Sequence, residues 1–386
     1  MIARQIASKL KELAATFPVV TIEGPRQSGK TTLAKMAFPD YRYANLEESA
    51  VRRLAQTDVR GFFEKFPAPA IIDEIQRVPE LLSEIQSAVD EKRENGQFIL
   101  TGSHQPRLKE GIAQSLAGRT AMLTLYPLSI LELEKSGIRL SRDELIFKGF
   151  LPAIYDRKQN PVDAHEAYYR TYVERDVREL INLSHQNEFE LFMRLLAGRV
   201  GQVVNLDGMS GEVGVSATTL KQWMSVLEAS FVIFRLHPYY RNFGKRLVKS
   251  SKVYFTDVGL AAHLLGIESS EQVMRDPLLG GLFENLVVME ALKARVNAGR
   301  SPSLYYLRDK AGVEVDLVLE SARRLHLIEI KSAQTPTPAM ARGLERFKAL
   351  APEVVDGFVV YGGEAWPLDG GAYVNFRETG NLIAKM

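Results

Sequence analysis

Phe17-Pro-Val-Val-Thr-Ile-Glu23 runs directly into Gly24-Pro25-Arg26-Gln27-Ser28-Gly29-Lys30-Thr31-Thr32 and then into Leu33-Ala-Lys-Met-Ala37. The first run is apolar and β-branched and predicts a strand. The glycine-bounded segment predicts a loop and the last one a helix, which is the context a phosphate-binding Walker A loop requires. Its glycines let the backbone turn N–H groups towards phosphate oxygens at a helix N-terminus. Lys30 is placed to reach the β and γ phosphates, and Thr31 to give Mg²⁺ a hydroxyl ligand. ATP and Mg²⁺ are therefore the expected cofactors. Gly24, Pro25, Arg26, Gln27, Ser28, Gly29, Lys30, Thr31 and Thr32 are the expected nucleotide contacts.

The partners of such a loop follow in chain order. Pro69-Ala-Ile-Ile-Asp73-Glu74 reads as a buried strand closing on two acids. Asp73 suits the Mg²⁺ shell and Glu74 the base that polarises an attacking water. Gln97-Phe-Ile-Leu-Thr101-Gly102-Ser103 reads as another strand ending in hydroxyls, with Thr101 the first choice for a sensor of the γ-phosphate. Strand candidates at 41–46 and 121–125 bring the total to about five, alternating with helical stretches. That pattern predicts an α/β fold with a doubly wound parallel sheet.

These residues, together with Ile-Ile-Asp-Glu-Ile-Gln76, Leu-Thr-Gly-Ser103, Ser115-Leu-Ala-Gly-Arg119 and Tyr126-Pro-Leu-Ser129, resemble the AAA-type P-loop ATPases (AAA_14) of bacteria and archaea that carry a C-terminal domain of unknown function, DUF4143. The resemblance runs along nearly the whole chain. It implies an AAA+ core over 1–127, a helical lid over 128–186, a winged helix-turn-helix over 187–275, and an α/β nuclease-like domain over 276–386. It also implies a homo-oligomeric ring in which an arginine completes a neighbour's site, with Arg119, Arg175 and Arg178 as candidates.

The middle of the chain has its own grammar. Helical stretches break at Gly149-Phe-Leu-Pro152 and resume from Ala164. Further on, Gly214 supplies a tight turn, Ser216 an N-cap, and Val215, Leu220, Trp223 and Leu227 a buried stripe, the pattern of a helix-turn-helix. Thr218, Thr219, Lys221 and Gln222 would face bases. Phe231-Val-Ile-Phe-Arg-Leu236 reads as a strand, and 239–254 as the hairpin of a wing. Arg241, Lys245, Arg246, Lys249 and Lys252 punctuate that hairpin without an intervening acid, so they are the expected phosphate contacts to DNA.

At the back, an amphipathic helix carries Glu284, and three successive antiparallel strands follow at 304–309, 313–320 and 325–331. A short turn at Ala322-Arg323 sets Asp316 opposite Glu329 and Glu314 opposite Lys331, all on one face. Opposed carboxylates repel unless a cation joins them. The arrangement resembles the PD-(D/E)xK nucleases. That likeness implies that Asp316 and Glu329 hold Mg²⁺, Glu284 adds a ligand, and Lys331 positions or activates the water.

Composition excludes other classes. The 386 residues carry 49 basic and 47 acidic side chains, six scattered His and no Cys. Disulfide frameworks, thiolate catalysis and Cys-ligated zinc are absent, and a reducing compartment fits. The amino terminus does not read as a signal peptide, and no run approaches a membrane span, so a soluble cytoplasmic protein with no membrane partner is expected. The expected function is an Mg²⁺-dependent ATPase coupling ATP to DNA binding or remodelling. The alternatives are an NTP-gated switch that binds an operator or partner protein, and an ATP-regulated, metal-dependent DNA nuclease.

Overall fold

The computed structural model describes residues 1–103, 112, 114–177, 186–239, 250–308, 313–349, 353–368 and 370–386. The chain divides into two compact units, one of Met1–Leu128 with Ala229–Phe231 and Val296–Arg300, the other of Ser129–Glu228, Val232–Arg295 and Ser301–Met386.

The first unit is a five-stranded sheet of order β2-β3-β4-β1-β5, formed by β1 (Val19–Gly24), β2 (Arg42–Asn45), β3 (Ala70–Asp73), β4 (Phe98–Ser103) and β5 (Thr120–Thr124). Every pair is parallel. Both faces are covered, so both sets of alternating residues are apolar. On one face Val20, Ile22, Ile71, Ile99 and Leu123 pack against Ile6, which precedes α1 (Ala7–Ala14), Leu10 of α1 and Leu33 of α2 (Lys30–Ala37). On the other, Val19, Ala70, Ile72, Phe98 and Leu100 pack against α3 (Ser49–Thr57), α4 (Val59–Lys65) and α5 (Leu81–Lys92) through Ala55, Phe62, Leu82 and Ile85. Parallel strands all finish at the same edge of their sheet, so Gly24, Asp73 and Thr101 meet there although they are far apart in sequence.

The second unit begins with α6 (Ile130–Lys135), α7 (Arg142–Lys148), α8 (Pro152–Asp156) and α9 (Pro161–Tyr168), followed by a π-helical stretch, Tyr169–Val177. The expected lid therefore clusters with the C-terminal part of the chain rather than with the ATPase sheet. The local reason is tight packing against α13 (Val258–Leu264). Asp257 caps that helix and also accepts the Phe150 N–H at 2.9 Å. Gly149 and Gly259 touch so closely that a Cβ on Gly149 would lie 2.9 Å from the Gly259 Cα.

Next come α10 (Gln186–Ala197), α11 (Leu206–Val213) and α12 (Ala217–Ala229). The turn between the last two uses Gly214 at φ 85°, and Ser216 Oγ accepts the Thr219 N–H at 3.1 Å. Leu220, Trp223 and Leu227 are buried, with Trp223 edge-on to Phe189 at 5.3 Å. Val215 is only half-buried and precedes the helix.

An eight-stranded mixed sheet of order β12-β13-β11-β10-β9-β8-β6-β7 completes the unit. It comprises β6 (Ile233–Pro238), β7 (Lys252–Phe255), β8 (Leu304–Arg308), β9 (Glu314–Ser321), β10 (Arg324–Lys331), β11 (Val354–Tyr361), β12 (Trp366–Leu368) and β13 (Gly371–Asn375). Between its strands lie α14 (Ser270–Arg275), α15 (Leu279–Asn297) and α16 (Arg342–Lys348), and α17 (Thr379–Lys385) closes the chain. The β9–β10 register runs from Arg324↔Ser321 to Ile328↔Leu317, as the sequence predicts, across a turn whose two residues both take positive φ.

One expectation fails. The antiparallel β6–β7 pair, expected to belong to a separate winged module ending at 275, is hydrogen-bonded into this sheet through the parallel pairing of His237 with Tyr305. The edge strand β7 is covered by Asn285 of α15, whose side chain accepts the Phe255 N–H at 2.7 Å and donates to the Phe255 carbonyl at 2.8 Å. A covered edge has its backbone groups satisfied and cannot template further strand addition.

Candidate functional site

The nucleotide loop leaves β1 at Gly24, whose φ of 148° and position beside β5 require glycine. A Cβ there would meet the Leu125 carbonyl oxygen at 2.2 Å. Gly29, at φ 92°, starts α2 in the left-handed region, so the helix opens without a side-chain cap and leaves its N–H groups to a ligand. The loop is tied from outside by Arg4, which donates to the Ser28 carbonyl at 2.6 Å and to the Tyr126 carbonyl at 2.6 Å.

Lys30 folds into this loop and donates to the Gly24 and Pro25 carbonyls at 3.1 and 2.8 Å. Burial pushes its pKa down to about 8, against the pull of Glu74 and Asp73. Ser28 Oγ is buried and has no hydrogen-bond partner among the described residues. A buried ammonium and an unsatisfied hydroxyl at an uncapped helix start are what a polyphosphate would complete.

Asp73, buried at the end of β3, gathers three hydroxyls. Thr31 Oγ1 lies 3.0 Å from both of its oxygens, Tyr43 donates at 2.8 Å, and Thr101 donates to Oδ1. A carboxylate and a threonine hydroxyl in contact form a hard-oxygen pair that fits Mg²⁺. Glu74 takes a left-handed backbone (φ 60°), its N–H pointing to Thr101 Oγ1 at 3.3 Å and its carboxylate accepting from Gln76 Nε2. Thus Lys30, Thr31, Asp73, Glu74 and Thr101 converge.

Tyr43, Gln76 and Arg4 were not anticipated. Tyr43 reaches Asp73 because β2 and β3 pair in parallel, a long-range fact that no local spacing encodes. Arg119 lies on the run into β5 and forms a two-pronged pair with Asp90 of α5 at 2.7 and 2.8 Å. Acting on a neighbour would require it to leave that pair. Nothing is described of the Arg175 side chain, and Arg178 lies outside the described residues.

The Lys30 ammonium gives a pH prediction. Phosphate stabilises its charged form, so nucleotide binding raises its pKa. Below about pH 8 the group is charged in free and bound protein alike and affinity is flat in this term. Above that value binding must take up a proton, and affinity falls by about tenfold per pH unit. Isothermal titration between pH 7 and 9.5 in buffers of different ionisation enthalpy checks this. A flat profile with no proton uptake contradicts it.

The rear cluster is arranged differently from expectation. Asp316 and Glu329 are buried on neighbouring strands, and Lys331 lies 3.3 Å from Asp316 and 2.7 Å from Glu329. Lys252, expected on an exposed basic hairpin, is instead 2% exposed. Its Nζ is 2.7 Å from Glu284, in contact with Glu314 and 3.6 Å from Asp316. A phosphate contact by Lys252 is thereby corrected, because β7 joins the sheet and carries that side chain inward. Arg241, Lys245, Arg246 and Lys249 lie outside the described residues.

Burial, reinforced by Asp316, raises Glu284 to about 7 and Glu329 to about 8. Burial opposes the charge on Lys252, but Glu284, Asp316 and Glu314 outweigh it and its pKa is raised. Among the described residues no group of three or more His, Asp or Glu side chains is arranged to hold a metal. Mg²⁺ needs near-octahedral oxygen ligands at about 2.1 Å, and an ammonium now sits amid Glu284, Glu314 and Asp316. As placed, these residues do not fit a divalent ion.

Three family models match the chain: an AAA domain over residues 16–134, a domain of unknown function (DUF8612) over 139–271, and a domain of unknown function (DUF4143) over 279–376. The helix-turn-helix stretch falls in DUF8612. The chain is similar to the uncharacterized proteins Rv2008c of Mycobacterium tuberculosis and Mb2031c of Mycobacterium bovis. Each is 30% identical over 345 residues, covering 88% of this chain and 76% of the relative. Among solved structures it is similar to a Walker-type ATPase of Pyrococcus abyssi, with TM-score 0.44 and 16% identity over 68% of this chain and 96% of that one. Among the described residues no helix is long and apolar enough to cross a membrane.

Proposed function

Since the chain belongs to the AAA-type P-loop ATPases that carry a C-terminal DUF4143 domain, we propose that it couples Mg²⁺-dependent ATP hydrolysis to work on DNA. The observation that carries the hydrolytic part is the contact of Thr31 and Thr101 with Asp73, with Glu74 bonded to Thr101 and the Lys30 ammonium buried in the loop. Lys30 would leave the loop carbonyls for the β and γ phosphates. Thr31 and Asp73 would hold Mg²⁺, which neutralises charge on the phosphate oxygens. Glu74, held by Gln76, would orient and deprotonate the attacking water. Thr101, between Asp73 and the Glu74 backbone, would report the γ-phosphate to both.

The DNA part rests on the helix-turn-helix geometry and the basic run. On α12, Thr218, Lys221 and Gln222 are exposed along one face while Leu220, Trp223 and Leu227 are buried on the other, so the outward face is free to enter a groove. Arg241, Lys245, Arg246 and Lys249 would add phosphate contacts. A homo-oligomeric ring follows from the same reading, with a neighbour's arginine completing the site around Glu74.

The test is ATP turnover with and without duplex or branched DNA at low salt. DNA should stimulate the wild type. Charge reversal of Lys245, Arg246 and Lys249 to Glu should abolish the stimulation and weaken binding, with a salt slope smaller by about 0.9 per lost contact. DNA-independent turnover and unchanged binding would instead favour a nucleotide-gated switch acting on a partner protein.

A further inference from the structure

The cluster in the second unit contains four carboxylates, Glu284, Glu314, Asp316 and Glu329, and two lysines, Lys252 and Lys331. Like charges across neighbouring strands need a cation between them. Here the chain supplies it from β7. Lys252 Nζ contacts three of the four acids, and its stem is buried beside Tyr306, with Nζ 5.6 Å from the ring centre.

Most of the acid oxygens are already engaged. Glu284 Oε1 accepts both Lys252 and the Tyr254 hydroxyl, the latter at 2.6 Å. Asp316 Oδ2 accepts the Ile330 N–H at 2.8 Å and Lys331 at 3.3 Å, while its Oδ1 faces Lys252. Glu314 is also approached by Arg308 at 3.5 Å. Among the described residues, Glu329 Oε2 is the one oxygen of Asp316 and Glu329 that is buried without a partner.

Access is restricted as well. Gly343 of α16 lies so close over this face that a Cβ there would be 2.7 Å from the Glu314 carbonyl and 3.5 Å from Glu329 Oε2. Asp316 and Glu329 are 7% and 8% exposed. A scissile phosphodiester therefore has no direct approach to the two acids that a hydrolytic metal would use.

We propose that the Lys252 ammonium takes the place of a divalent cation among Glu284, Glu314 and Asp316, making this centre a metal-independent lock that joins β7 and α15 to β9. A tethered ammonium has no translational entropy left to lose, so it holds the position against millimolar free Mg²⁺. Removing it leaves buried carboxylates uncompensated, and the vacated, oxygen-lined position becomes one that a divalent or trivalent ion can fill.

The experiment uses the full-length protein without nucleotide and reads terbium luminescence sensitised by Tyr254, together with thermal unfolding in Mn²⁺. The wild type and Asp316→Asn should give the same terbium signal. Lys252→Ala should gain a saturable signal that disappears in Lys252→Ala/Asp316→Asn. Its Tm should fall by roughly 6–20 °C and recover by more than half in millimolar Mn²⁺. If Lys252→Ala does not fold, Lys252→Gln, which keeps one donor for the acids, should show the same gain. An Asp316-dependent signal in the wild type overturns the proposal, and so does a folded Lys252 variant that gains no metal.

Discussion

Lys30→Ala should lower ATP turnover by roughly 10²–10³-fold, the cost of deleting one preorganised charge at a developing phosphoryl oxyanion, and should weaken ATP binding as well. Both losses follow from where the ammonium sits. It is buried inside the loop, and among the described residues its hydrogen-bond acceptors are the Gly24 and Pro25 carbonyls. Its charge is therefore worth more to a phosphate than a solvated lysine's would be. Folding should survive, since Ala suits the first turn of α2 and removes a desolvated charge. Turnover assayed beside fluorescent-nucleotide binding and circular dichroism decides the matter. Full turnover in the variant would remove Lys30 from the mechanism.

Glu74→Gln should separate the two steps that Lys30→Ala joins. The amide keeps the size and the contact with Gln76 but cannot take a proton, so turnover should fall by about 10²–10⁴-fold while ATP binding stays within a few-fold of wild type. The variant should trap unhydrolysed ATP. Glu74 is held for this task by a left-handed backbone and by the contact of its N–H with Thr101. Such strained positions persist where surrounding contacts enforce them. A Glu74→Gln protein that loses binding together with turnover would assign the residue to nucleotide affinity rather than to water activation. Asp73→Asn offers a contrast. It should cost binding of MgATP more than of metal-free ATP, because Asp73 lies 3.0 Å from Thr31 in the expected Mg²⁺ shell.

The front site was legible because its chemistry is local. A strand, a glycine loop and a helix start within about sixteen residues, and Asp73 and Thr101 each end an apolar run whose strand identity is written in its own composition. Parallel pairing then brings those ends together without further information. The register of the β9–β10 hairpin, from Arg324↔Ser321 to Ile328↔Leu317, was legible for the same reason, since a two-residue turn sets it.

What stayed hidden depends on contacts distant in sequence. Lys252 closes a run of basic residues, and any local rule assigns it to the solvent-facing hairpin. Its true surroundings come from Glu284, Glu314 and Asp316, which lie 32 residues and more further along. Tyr43 reaches Asp73 only through the pairing of β2 with β3.

Composition and motif spacing alone were enough to establish the parallel P-loop core and the alternation of buried strands. Each of these is set by neighbours within one strand, loop or helix. The joining of β6 and β7 to the rear sheet, the clustering of residues 129–177 with it, and the lysine at the centre of its carboxylates came from the folded chain. They are settled by which distant surfaces bury each other and by which charges cannot be left unpaired, and no short stretch of sequence carries that information.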